Sequence, residues 1–182
     1  MDRYYWFIFA FISLFFNDML KKAASVLLIV LLLSCKKNDG VISSLNVNLD
    51  VESVLSLVNK HRLAGATCGG DRFSATSALQ WDGALAKAAL SHSNDMQLNG
   101  YFSHTGRNGS DFSERVNDAG FEGSPVGENI ASGYFSEADV IAAWVKSEGH
   151  CRNIMNGNAS HIGVARSNKE ALWTMVLGRK SE

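Results

Sequence analysis

Little in the composition announces a partner. Lys and Arg number 17 against 18 Asp and Glu, giving a formal net charge of -1, and the basic residues are scattered. No stripe fits a nucleic-acid backbone, and no polybasic patch fits an anionic membrane surface. Nucleic acid is therefore excluded as a partner. No apolar run reaches the roughly 20 residues of a membrane-spanning helix. No serine stands in a nucleophile elbow, and no two histidines are spaced four apart as on a metal-binding helix. Proline occurs once, at Pro125, and cysteine three times, at Cys35, Cys68 and Cys151.

The 46% apolar content is inflated by the first 34 residues, where two short apolar runs, Tyr4 to Phe16 and Ala23 to Leu33, are separated by Asn17-Asp18 and Lys21-Lys22. The second run has the form of an export signal, with Lys21 and Lys22 as its charged region and Val26 to Leu33 as its apolar region. It ends in Leu32-Leu33-Ser34-Cys35, which resembles the bacterial lipoprotein box, in which the cysteine is acylated and becomes the mature N-terminus. Leu33 is a less usual occupant of its place there. Met19 then reads as the start of translation, and residues 1–35 as a targeting region. Residues 36–49 are polar and aperiodic, as in a tether, and the globular domain runs over 50–182. The anchor is a lipid rather than a transmembrane helix, which places the domain in a bacterial cell envelope, in the periplasm or at the surface.

Within the domain Cys68 and Cys151 form an even pair in an exported chain, and a disulfide between them is expected. Were they free, Cys151 beside His150 would be a candidate nucleophile. Asp50 is read as the N-cap of a first helix with Val51, Val54, Leu55 and Val58 on one stripe and Gly65 as its stop. Asp82 caps a second helix that ends at Gly100. It carries Leu85, Ala89, His92 and Met96 on one face, so His92 reads as a core histidine rather than a ligand. Asp111 and Glu114 are spaced as a capping box for a third, short helix ending near Gly120. A fourth begins at Ser136, has Val140, Ile141, Trp144 and Val145 on its buried face and is expected to end at Gly149 as a C-cap. His150 and Cys151 would follow at the helix exit and in a loop, where the imidazole could serve chemistry or merely the last carbonyls. The runs Ile162 to Arg166 and Leu172 to Leu177 read as a hairpin.

Two further residues stand out. His104 lies in a polar Ser-His-Thr loop rather than on an apolar stripe, so it is a better functional candidate than His92. Alternation along Val126-Gly127-Glu128-Asn129-Ile130 puts Glu128 on the same strand face as apolar residues, where an unpaired carboxylate would be costly.

Several of these segments, in order, resemble the CAP superfamily, which contains cysteine-rich secretory proteins, antigen 5 and plant pathogenesis-related proteins. They are Ala88 to Met96, Gly100 to Thr105, Val126 to Ala131, Trp144 with Ser147 to His150, Asn153 to Met155, Ile162 to Ala165, and Trp173-Thr174. The resemblance covers about residues 51–179. It implies an α+β fold, a three-layer α-β-α sandwich with a small antiparallel sheet. It also implies a cleft lined by two histidines and two acidic residues, in which some relatives bind zinc or another divalent cation.

Position by position, the histidines fall on His104 and His150 and the first carboxylate on Glu128. The second falls on Ser147, where the chain departs from the pattern, with Glu148 adjacent. Two imidazoles and one carboxylate could still form a three-ligand site with an open position. Relatives that bind sterols or fatty acids make a lipid or other small molecule, including a wall-derived one, the implied ligand. A binding module is favoured over a metal- or His/Glu-dependent hydrolase (peptidase or esterase), and a structural domain with a vestigial cleft is the third reading.

Overall fold

The computed structural model describes residues 45–181. The targeting region, Met19, Cys35 and the tether up to residue 44 lie outside the described residues.

The chain opens with α1 (Val51–Ala64), followed by the small hairpin β1 (Ala66–Cys68) and β2 (Asp71–Phe73), then β3 (Gln80–Trp81). Helices α2 (Gly83–Asn99) and α3 (Phe112–Asp118) precede β4 (Gly123–Ser132), α4 (Glu137–Lys146) and α5 (Glu148–Ile154), and β5 (His161–Arg166) and β6 (Leu172–Lys180) close the domain. The main sheet has the order β3-β5-β6-β4, with β3 parallel to β5 and the other pairs antiparallel. Helices cover both faces, as expected of a three-layer α-β-α sandwich.

The capping chemistry read from the sequence accounts for three of the helix starts. Asp50 accepts from the Glu52 and Ser53 N–H groups, and Asp82 from those of Ala84 and Leu85. Asp111 and Glu114 form a reciprocal capping box, which satisfies two otherwise orphaned donors at the end of a short helix. Gly100, in the left-handed conformation at φ 64°, ends α2 and returns its N–H to the Met96 carbonyl.

The period of two along β5 and β6 divides the core. Ile162, Val164, Trp173, Met175 and Leu177 face the cluster built by Val54 and Val58 of α1, Val140, Ile141 and Trp144 of α4, and Ile154 of α5. Ala165 and Val176 face Leu85, Ala86 and Ala89 of α2 with Val116 of α3. Gly163 stands on this second face, where any Cβ would collide with the backbone of Leu85 and Ala86. Glycine therefore lets α2 lie directly on the strand.

Three features differ from the sequence expectation. The fourth helix ends at Lys146 rather than running to Gly149, because Ser147 turns out of helical geometry at φ -83°, ψ 124° and is at once the C-cap of α4 and the N-cap of α5. Gly149, His150 and Cys151 thus lie on the new helix α5. The disulfide between Cys68 and Cys151 is present, with Cα atoms 5.4 Å apart and a sequence separation of 83, but it joins the end of β1 to α5 rather than two loops. A closed loop of this length is worth on the order of 4 kcal/mol in the chain-entropy account. Finally Val47, within the segment read as tether, is buried, and its carbonyl accepts the Arg166 N–H.

Arg62 continues the α1 stripe one turn beyond Val58 and is fully buried. Its guanidinium donates to four backbone carbonyls, those of Ser77, Ile154, Asn156 and Ala159. One side chain thereby satisfies the chain entering β3 and the segment between α5 and β5. Burial pulls its pKa down. Replacing Arg62 with Leu should cost on the order of 3 kcal/mol or more, because the carbonyls left behind lose their donors. Urea denaturation of the two proteins measures this, and a loss below about 1 kcal/mol would show that water replaces the guanidinium.

Candidate functional site

Glu128 is the centre of the site. It lies on β4 opposite Val176, just after the register shift between Pro125 and Gly127, and its side chain is 2% exposed. A carboxylate so placed requires partners, and each of its oxygens has one. Oε1 accepts from His104 Nδ1 at 2.8 Å and Oε2 from Arg115 Nη2 at 2.8 Å. An ionised carboxylate only accepts, so the bond to Glu128 assigns a proton to Nδ1 of His104, and in the neutral imidazole Nε2 carries the lone pair. His104 is itself 56% exposed, so the ring reaches from a buried anchor into solvent.

The loop bearing His104 is held from beneath by α2. His92, fully buried, hydrogen-bonds the Ser103 carbonyl through Nε2 at 2.8 Å. Asp95 accepts from the Tyr101 hydroxyl and from the Arg107 N–H, and these bonds together hold its carboxyl below the usual range against the opposing effect of burial. Desolvation and the bond to Asp95 push the Tyr101 hydroxyl up to about 12. His92 is thus a core residue, as read from its stripe, and it also fixes the backbone next to His104. Its Nδ1 is buried without a partner.

His150 lies in the first turn of α5, half-buried. Burial lowers its pKa, and the charge of His104 adds to the effect. Two asparagines set α5 against β4: Asn129 Nδ2 donates to the His150 carbonyl at 3.1 Å, and Asn153 Nδ2 donates to the Glu128 carbonyl and to Asn129 Oδ1. Gly127 leaves room for Asn153, which a Cβ there would crowd.

Of Ser147 and Glu148, the two positions weighed for a second carboxylate, only Glu148 is engaged elsewhere. Ser147 makes no side-chain cap bond. Glu148 pairs with Arg152 at 2.9 Å, and Arg152 also pairs with Asp71 at 2.5 Å, so Glu148 helps to fasten α5 to the β1–β2 hairpin. Among the described residues no group of three or more His, Cys, Asp and Glu side chains is arranged to hold a metal ion. Of the three residues expected at the site, Glu128 meets His104 directly through Oε1, and its other oxygen is taken by Arg115.

Arg115 is the site residue that the sequence does not announce. Its side chain is 9% exposed, and it donates to the Ser110 and His104 carbonyls as well as to Glu128. The signal for it is indirect: a carboxylate on an apolar strand face demands a cation, and Arg115 stands on the short helix just before that strand. Arg115 also lines a polar cavity of about 500 Å³ between α2, α3 and the preceding loop, with Lys87, Ser91, His92, Arg107 and Asp118 among its other walls.

The model of the cysteine-rich secretory protein family matches residues 55–177. Among curated proteins, the uncharacterised protein YkwD of Bacillus subtilis is 40% identical over 97 residues, covering 53% of this chain and 37% of its own length. The uncharacterised membrane protein YlbC of the same organism is 34% identical over 91 residues, covering 50% and 26%. The match thus spans little more than a third of the first relative's length and about a quarter of the second's. Among solved structures, an extracellular protein containing an SCP domain from Bacillus anthracis superposes with a TM-score of 0.59 at 26% identity, over 71% of this chain and 40% of that one. An outer surface protein of Borrelia burgdorferi shares the fold, with a TM-score of 0.56 at 20% identity, over 71% and 89% of the two chains.

The imidazoles whose pKa values are lowered by burial, in full or in part, make stability depend on pH. His92, His150 and His161 all have lowered pKa values, with burial the first cause in each. Below the ordinary imidazole pKa of about 6.5 the unfolded chain takes up protons that the folded chain refuses, so stability falls as pH drops. The urea midpoint is expected to decrease between about pH 7.5 and pH 5, and His92→Gln to reduce that decrease. An equal decrease in both proteins would remove His92 as a source.

Proposed function

The chain belongs to the cysteine-rich secretory protein family, and from that premise we propose that it is an extracytoplasmic binding module in which His104 and His150 hold a divalent cation such as zinc. The observation that carries the reading is the bond from His104 Nδ1 to the buried Glu128. Imidazoles that bind metals commonly donate their other nitrogen to a carboxylate, which fixes the tautomer and raises the basicity of the ligating nitrogen. The donor set fits such an ion as two neutral imidazoles with open positions beyond them, and Glu128 takes the supporting place rather than a ligand place. A bound cation would supply a Lewis-acidic centre for a ligand donor or a water.

The disulfide suits an oxidising compartment, and the Bacillus anthracis neighbour is described as extracellular. Among the described residues no helix is long and apolar enough to cross a membrane. Attachment through acylated Cys35 is the anchor this reading assigns, and metabolic labelling with a fatty acid tests it: label on Cys35 supports it, and a Cys35-containing cytosolic protein without label ends it. Phe102, 53% exposed and two residues before His104, offers apolar surface to a lipid or wall-derived ligand.

A second reading has one observation in its favour. An exposed imidazole whose far nitrogen is bonded to a buried carboxylate is also the geometry of a general base, which in a hydrolase would activate water.

Calorimetry with zinc separates the two. Binding should be lost in His104→Ala and in His150→Ala; His150→Ala should cost little stability, His104→Ala about 1–3 kcal/mol because Glu128 Oε1 loses its donor, and His92→Ala should destabilise the fold. Affinity should fall as the imidazoles protonate, which burial delays to lower pH at His150. Unchanged zinc affinity in both cleft variants would end the metal reading. Turnover of a peptide or ester library that disappears in His104→Ala would put catalysis first.

A further inference from the structure

The polar cavity bounded by α2, α3 and the loop between them has no part in the function above. Its volume of about 500 Å³ suits a small molecule. Its walls depart from the apolar lining usual in such sites, because only Ala88 and Ala119 among them are apolar.

Some of its charged groups are already committed. Arg115 donates to Glu128 and to two carbonyls. Asp95 accepts from the Tyr101 hydroxyl, the Arg107 N–H and Asn99. Lys87, the guanidinium of Arg107 and Asp118 have no side-chain hydrogen bond or ion pair among the described residues. Two cations therefore face one carboxylate, which leaves a positive surplus.

The cations stand on a firm frame. Lys87 and Ser91 lie one turn apart on α2. Arg107 springs from a turn closed by the bonds from Gly106 N–H to the Ser110 carbonyl and from Gly109 N–H to the Gly106 carbonyl. Its own N–H is tied back to Asp95 Oδ2 at 3.0 Å.

Acceptors are left over as well. His92 is buried and forms part of the wall. A carbonyl only accepts, so the bond to Ser103 places a proton on Nε2, and in the neutral ring Nδ1 keeps its lone pair. Nδ1 is without a partner among the described residues, and buried polar atoms seldom stay so. Lys87 and Arg107 thus call for an anion, whereas Asp118 and His92 call for donors.

We propose that this cavity binds a small hydroxylated anion, with Lys87 and Arg107 holding its carboxylate or phosphate group and Asp118 accepting from its hydroxyls. Hydroxyls rather than an ammonium group supply the donors, because the ligand must keep its negative charge to match the surplus on the walls. The planar fork of Arg107 suits either anionic group. An anion without hydroxyls leaves Asp118 facing it unpaired, and a neutral polyol leaves both cations unpaired, so each is bound less well than a molecule that combines the two. Binding here needs no metal at His104.

Amide chemical-shift titration of the purified full chain at pH 7.5, without added metal, tests the assignment. Gluconate and glycerol 3-phosphate are the hydroxylated probes, and the tighter of the two shows which anionic group the cavity prefers. At least one should give saturating shifts over residues 87–95 and 106–119. Sorbitol, which has hydroxyls without charge, and hexanoate, which has charge without hydroxyls, should bind about tenfold or more less tightly. Lys87→Gln and Arg107→Gln change exposed side chains outside the His104–Glu128 pair. Each should weaken the hydroxylated probe about tenfold while leaving the urea midpoint unchanged. Asp118→Asn should weaken the same probe and spare hexanoate. Absence of saturation with both hydroxylated probes, equal affinity for hexanoate, or unaltered affinity in both Lys87→Gln and Arg107→Gln would overturn the proposal. Zinc binding, present or absent, moves none of these outcomes, so the cavity and the metal reading stand or fall separately.

Discussion

Burying one carboxylate constrains the architecture of the site. Glu128 could not be buried on the edge strand β4 without two donors, and those donors come from two separate segments, the loop at His104 and the helix α3 at Arg115. The loop is in turn supported by His92 and Asp95 of α2. A local need for hydrogen bonds at one strand position therefore reaches outward through three other segments. The sheet supplies a rigid place for the carboxylate, and the carboxylate fixes the less regular chain around it.

The other side of the sheet is organised by Arg62 in a comparable way, with the chemical roles exchanged. There a buried cation meets backbone carbonyls rather than a carboxylate. The arrangement suits its position. Loop carbonyls that return under a helical layer have no ladder partners, and a forked donor satisfies several at once. Together with the disulfide, it connects α1, the β1–β2 hairpin and the end of α5. His150 thus rides on a helix fixed from below by Cys151 and from the side by Asn129 and Asn153.

What is legible in the sequence follows the range of the interactions that determine it. Asp50, Asp82 and the Asp111–Glu114 box act within one turn of their helices, and the β5–β6 hairpin joins neighbouring runs, so local patterns reveal them. The stripe of α2 likewise places His92 in the core. The break at Ser147 is hidden because Gly149 has the residue type of a helix stop, while the actual break depends on packing α5 under β4 and on the bond from Cys151 to Cys68. Glu128 is recognisable as needing a partner, but neither charge nor spacing points from it to Arg115, which meets it only in three dimensions. Arg62 is silent in the sequence for the same reason: its partners, at residues 77 and 154–159, are remote along the chain.

The entry of the chain into the domain has a mechanical consequence. Val47 is buried, its carbonyl accepts the Arg166 N–H, and Asn48 Nδ2 bonds the Arg166 carbonyl at 2.9 Å. Tension applied from the N-terminal side therefore loads these two bonds at the end of β5 before it reaches α1. They act as a clutch: a weak pull is taken by the sheet, and only after Arg166 lets go does the load pass to α1 and the guanidinium beneath it.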